Sequence, residues 1–132
     1  MIPTIALLLA LQRSPQEMMV RRMALAFGVE PERAACIVRL ESEWDPAAIG
    51  DDGAAVGLWQ WHMASWRHVR RQMGLSTEDR RMDPVESTAT ALFAIGRLGL
   101  GRWWTADRQC HYKEPSYATA STTRHVFDHS WR

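Results

Sequence analysis

Apolar and polar residues alternate along this chain with the period of helices, and each helix carries its own start signal. Ser14-Pro15-Gln16-Glu17 is a capping box, with serine at the N-cap, proline at the first helical position and glutamate reaching back. Met19, Met23, Leu25, Ala26 and Phe27 supply that helix with an apolar side, and Gly28 can end it. A second helix begins near Pro31; Ala34, Ala35, Cys36, Ile37, Val38 and Leu40 make it apolar on most sides, which predicts burial. Asp45-Pro46 marks its end, because a residue before proline is steered away from helical angles. Residues 45–57, with Gly50, Asp51, Asp52, Gly53 and Gly57, read as a loop or tiny hairpin. Asp83-Pro84-Val85-Glu86 caps a further helix to about Leu98, with Ala89, Leu92, Phe93 and Ile95 inward. Gly99-Leu100-Gly101 then leads to Trp103-Trp104. Beyond Cys110 the pattern weakens, and Ser121-Thr122-Thr123 reads as surface or a short helix start. No strand pair is strong enough to carry a sheet, so the expected class is mainly α, with a short loop or hairpin.

At the start, Ile2 to Leu11 is apolar but shorter than the roughly 20 residues of a membrane span. Nothing basic precedes it and Gln12-Arg13 follows, unlike a secretory signal. It reads as a helix over residues 1–13 packed on the body, with an uncleaved export signal or membrane anchor as the alternative. The chain's 132 residues correspond to one domain over 1–132, without linker or repeat. Its net charge of +1 gives no excess to draw nucleic acid. Five histidines and two cysteines show no metal-ligand spacing, so neither metal nor other cofactor is expected. Seven tryptophans stand out. Surplus indoles serve a core, and they also suit the apolar C–H faces of sugar rings.

Glu41 falls at the C-terminal end of the most apolar helix. A poorly solvated carboxyl there has its charged form disfavoured, which suits a general acid that must stay protonated near neutral pH. Alternatively, Glu41 belongs to a solvated face with Arg39 and Glu43.

Glu41-Ser42-Glu43-Trp44-Asp45-Pro46-Ala47-Ala48, then Gly53-Ala54-Ala55-Val56-Gly57-Leu58-Trp59-Gln60, resembles the signature of the soluble lytic transglycosylase family in the lysozyme-like superfamily. Asp83-Pro84-Val85-Glu86-Ser87 is similar to that family's Asp-Pro helix start, so the resemblance runs over roughly residues 30–104. One extra residue stands between Glu41 and Gly57-Leu58, and Gly50-Asp51-Asp52 occupies the turn where the family often has serine. The family's Tyr-Asn-Ala-Gly segment has no clear match after Phe93-Ala94-Ile95-Gly96. Gly101-Arg102-Trp103-Trp104 looks like the Gly-Trp ending of small phage and actinobacterial lysozyme-like domains.

The resemblance implies a lysozyme-like fold with a glycan cleft between the Glu41 helix, the 50–61 loop and the 95–104 region. It also implies cleavage of the bond between N-acetylmuramic acid and N-acetylglucosamine in peptidoglycan. One glutamate, here Glu41, protonates the bridging oxygen and then serves as base toward the muramyl C6 hydroxyl, leaving a 1,6-anhydro sugar. A hydrolytic lysozyme would add a second carboxylate, about 5–5.5 Å from the acid as nucleophile or about 6.5–9.5 Å as water activator. Asp51 and Asp52 are the candidates, and the plainer reading makes them turn-formers. Gln60 matches the family glutamine that hydrogen-bonds sugar. Trp59 and Trp61 flank it, one expected in the core and the other in the cleft, with Trp103 as a further cleft aromatic. His62 could touch an acetamido or carboxylate group, and Ser42 could bind substrate, though fixing the helix end suits it better. A rival reading is a non-catalytic wall-binding or virion module of the same fold. The resemblance implies action on the cell wall, in the periplasm or outside the cell, with a phage particle, a phage-made hole or a secretion machine as the alternative routes of delivery. Related small lysozyme-like domains place one cysteine shortly before Glu-Ser and another after Gly-Trp; Cys36 sits about one helical turn earlier than that pattern, so a Cys36–Cys110 disulfide and two free thiols both stay open.

Overall fold

A computed structural model describes residues 12–110. Gln12 to Ser14 are non-helical; the rest of the expected 1–13 helix, and the expected feature at 121–123, lie outside the described residues. Helices α1 (Pro15–Phe27), α2 (Pro31–Ser42), α3 (Met63–Gln72), α4 (Pro84–Arg97) and α5 (Trp104–Gln109) make up most of the described chain. Between α2 and α3 run strands β1 (Ile49–Gly50) and β2 (Ala55–Val56), joined by a 3-10 turn at Asp51–Gly53. A second 3-10 turn, Gly101–Trp103, introduces α5. No described helix is long and apolar enough to cross a membrane.

The start signals operate, except that the Glu17 carboxylate, expected to reach back to the cap, binds Arg21 and Arg13 instead. Ser14 Oγ accepts from the Glu17 amide at 3.1 Å, and Asp83 Oδ1 accepts from the amides of Val85 and Glu86 at 3.0 and 2.9 Å. These bonds satisfy helix-terminal donors that would otherwise be orphaned. Gly28 ends α1 at φ 72°, its amide bonded to Leu25 O while Val29 N–H reaches back to Ala24 O, a Schellman closure. α2 stops at Ser42, before the expected Asp45-Pro46 boundary, because Glu43 turns left-handed at φ 50° and its amide caps Arg39 O.

The buried stripes are narrower than the sequence suggests. α1 buries Val20 and Ala24, with Met19 and Met23 partly covered, whereas Leu25 and Phe27 are exposed. α2 buries Ala34, Ala35, Ile37 and Val38 but leaves Leu40 exposed. α3 has no counterpart in the sequence reading. Its apolar stripe is Trp66, Val69 and the partly buried Met63, extended by Met73 at the C-cap, among Arg67, His68, Arg70 and Arg71. Arg70 is nonetheless buried; its guanidinium donates to Ser76 O, Glu86 Oε2 and Thr90 Oγ1 and stacks over Trp66, tying α3 to α4.

Four indoles build the centre. Trp59, Trp61, Trp66 and Trp103 are 0% exposed. Trp61 meets Trp103 edge-to-face at 4.8 Å between ring centroids, and Trp59–Trp103 and Trp61–Trp66 pack the same way at 5.5 and 5.7 Å. Each indole N–H is satisfied: Trp59 to Thr88 Oγ1, Trp61 to Ser87 O, Trp66 to Glu78 O and Trp103 to Trp59 O. Full burial therefore costs them no unpaired donor.

α2 and α5 are joined twice. Arg33 Nε and Nη2 bind both oxygens of Asp107 at 2.6 and 2.9 Å, with both side chains buried. One turn further along each helix, Cys36 and Cys110 form a disulfide with Cα atoms 6.1 Å apart. Of the two alternatives that the sequence left open, bridge or free thiols, the structure has the bridge.

Candidate active site

Glu41 occupies the last turn of α2 and is half-buried. The helix behind it is fixed on the core by Ile37 and Val38 and on α5 by the ion pair and the disulfide. Next to it, Ser42 is buried and its Oγ donates to Val38 O at 3.2 Å. Ser42 thus takes the helix-end role that suited it better, its hydroxyl committed to the backbone and its side chain largely covered.

The chain leaves α2 through two successive left-handed residues, Glu43 (φ 50°) and Trp44 (φ 67°). Asp45 then forms an Asx turn, its Oδ1 accepting from the Ala47 amide at 2.9 Å. This reversal brings residues 49–50 against 55–56 in register Ile49↔Val56 and Gly50↔Ala55. Asp51 and Asp52 form the tip at φ 49° and 53°, a backbone region that short polar side chains tolerate best. Both are exposed. Asp51 Oδ2 lies 2.8 Å from His62 Nε2, so the two side chains link the hairpin tip to the start of α3.

Gln60 does not present a free amide. It is 6% exposed, and its Nε2 donates to Ala48 O and Gly57 O, each at 3.0 Å. A β-carbon on Gly50 would lie 2.5 Å from Gln60 Oε1, so glycine at 50 is what lets the amide enter. On the outer side, Arg81 Nη1 donates to Ala54 O and Trp61 O at 3.2 and 3.0 Å. Asp79 grips the rest of that guanidinium, and this hydrogen bonding holds the Asp79 carboxyl below the usual carboxylate range. Gly57 (φ 84°) lies so close that a β-carbon would collide with Arg81 O.

The expected cleft aromatics are corrected. Trp59, Trp61 and Trp103 are all core, with no exposed ring face for a sugar. Residues 57–60 form a turn with Gln60 left-handed (φ 51°), so strand-like alternation does not apply and both of its neighbours fall into one core. Among the described residues, the indoles that retain accessible surface are Trp44 and Trp104, both half-buried, neither singled out as a site residue from the sequence. Trp44 could have been found as the aromatic of the Glu-Ser signature; Trp104 carries no signal separating it from Trp103. Among the described residues, no three His, Cys, Asp or Glu side chains converge as a metal site.

The family model for the transglycosylase SLT domain matches residues 18–106, about two thirds of the chain. The chain belongs to the SLT transglycosylase family. Comparison with the curated proteins and with the solved structures returns no match. The matched SLT region begins within α1, contains α2 to α4, the hairpin, Glu41 and Gln60, and ends within α5. The mainly helical, lysozyme-like architecture agrees with that membership, which makes peptidoglycan the substrate class of the family.

Proposed function

We propose that this chain is a peptidoglycan lytic transglycosylase that cuts the β-1,4 bond between N-acetylmuramic acid and N-acetylglucosamine, with Glu41 as its one acid and base. The observation that carries this reading is the position of Glu41: half-buried, on the last turn of a doubly anchored helix, beside a strained reversal inside the SLT region. As general acid, Glu41 gives its proton to the leaving oxygen. The same carboxylate then takes the proton of the muramyl C6 hydroxyl as that oxygen attacks C1, giving the 1,6-anhydro product.

Between lyase and hydrolase, the hairpin favours the lyase. Asp51 is engaged with His62, and Asp52 adopts the left-handed angles of a tight turn, so both aspartates have a role in shaping the tip. His62 then stands as the polar group of the tip nearest a sugar-binding role, while Gln60 shapes the loop beneath it. The disulfide supports action in an oxidising compartment outside the cytoplasm, where the wall is.

Reducing-end analysis of digested peptidoglycan tests the reading. Wild type is expected to release 1,6-anhydromuramyl ends. Free reducing ends would make it a muramidase, and no release would make it a binding or structural module. Glu41→Gln keeps the shape but cannot donate the proton, so release should fall by about 10²–10⁴-fold with an unchanged melting temperature. Near wild-type release from that variant would falsify the assignment of Glu41.

A further inference from the structure

We propose that the Cys36–Cys110 bond is a thiol-exchange site, opened by low-molecular-mass thiols that enter a cavity beside it and polarised by Arg39. The bond is not sealed in the core. Both cysteines are half-exposed and line a cavity of about 320 Å³ together with Arg21, Arg33, Arg39 and Trp44. That volume is at the small end of ligand pockets, enough for a small thiol and too little for a protein partner.

The three guanidinium groups of the cavity are not equivalent. Asp107 holds Arg33 through both of its oxygens, and Glu17 and Glu32 hold Arg21. Arg39 pairs with no carboxylate among the described residues; its Nη2 lies 3.7 Å from Cys36 Sγ. This contact gives the bond a direction. Exchange proceeds by attack of a thiolate on one sulfur while the other leaves as a thiolate, and a lower pKa makes the better leaving group. A neighbouring arginine lowers a cysteine's pKa. The incoming thiolate therefore bonds to Cys110 Sγ, the disulfide breaks, and its electron pair leaves on Cys36 Sγ opposite Arg39. A second thiol molecule attacks the small-thiol sulfur of the mixed disulfide and releases Cys110 as a thiolate. Two thiols are oxidised to one disulfide while the protein's disulfide is reduced.

The fold is built to survive the opening. Arg33–Asp107 joins the same two helices one turn away and stays closed when the sulfurs part, so α2 keeps its place on α5. The inference is independent of the role given to Glu41.

The test uses the oxidised full chain and 2-mercaptoethanol without denaturant, with acid quenching, mass spectrometry and peptide mapping. The expected result is a mixed disulfide mainly on Cys110, an alkylatable Cys36 and an unchanged helical circular dichroism spectrum. Arg39→Gln, at an exposed position, should slow opening severalfold, because the leaving Cys36 thiolate loses its cationic neighbour. Arg39→Lys should stay near wild type. The proposal is overturned if the bond opens only in denaturant, if opening removes the helical signal, or if adducts divide equally between the cysteines regardless of residue 39.

Discussion

The helical frame and the segment from Glu43 to His62 solve the problem of backbone conformation in opposite ways. In the frame, left-handed positions are glycine, as at Gly28 and Gly74. In the segment, Glu43, Trp44, Asp51, Asp52 and Gln60 all adopt left-handed angles, and no other described non-glycine residue does. Such conformations cost roughly 1–2 kcal/mol each for residues with a β-carbon. The frame's helices are specified locally by their caps and periodicity. The segment is held from outside: by Gln60 on Ala48 and Gly57, by Arg81 on Ala54 and Trp61, and by the burial of Trp59 and Trp61. Strain of this kind persists only where surrounding contacts over-determine it, and it clusters at functional sites. Here it adjoins Glu41, the end of the well-behaved frame.

Removing an anchor of the segment is the most damaging way to break this contrast. Trp61→Ala should cost about 3–5 kcal/mol, as truncation of a fully buried indole does, seen as a large drop in thermal or denaturant midpoint. A lining role in the cleft would instead give weaker glycan binding at unchanged stability, and that outcome would return Trp61 to the site.

Two glycines sharpen the comparison more gently. Gly57→Ala and Gly28→Ala meet nearly the same backbone angles, φ 84° and 72°, but only Gly57 has a carbonyl against it; around Gly28 there is open space. Gly28→Ala should cost about 1 kcal/mol, the conformational penalty alone. Gly57→Ala should cost clearly more, because the Arg81 strand of chain must move as well. Equal losses in parallel melts would show that the segment is not clamped from outside.

The smallest effect concerns the clamp's charge. Asp79→Asn should cost under about 1 kcal/mol, since the pair is half exposed. The folded Asp79 carboxyl titrates lower than its unfolded counterpart, so its contribution is fully present above the unfolded pKa of about 3.9 and fades as pH falls through the lower folded value. Wild type and variant should therefore differ slightly at pH 6 and converge in strong acid. A difference that grew on acidification would contradict the assigned direction.

Much of the frame was legible in the residues alone. Ser14, Gly28, Pro31 and Asp83 act within a few residues of their own position, so a linear reading finds the helices they start and stop, and it finds Glu41 at the end of one. The tiny hairpin, too, is announced by Gly50, Asp51, Asp52 and Gly53. Helix α3 was not legible, because its charged residues outnumber Trp66 and Val69, and only packing on α4 reveals Arg70 as a buried member of the stripe.

The destinations of side chains were settled in tertiary structure. Trp61 donates to Ser87 O, 26 residues on, and Trp103 to Trp59 O, 44 residues back; no local pattern carries that information. The same holds for Gln60, whose amide serves two backbone carbonyls only because the loop has already folded around it. By itself the sequence determined that α1, α2 and α4 are helical, where they start and which carboxylate stands near a helix end, since those depend on neighbours within about one turn. Tertiary structure alone decided which indoles are core, that Cys36 meets Cys110, and how a strained loop is held beside Glu41, because each depends on contacts between residues far apart in the chain.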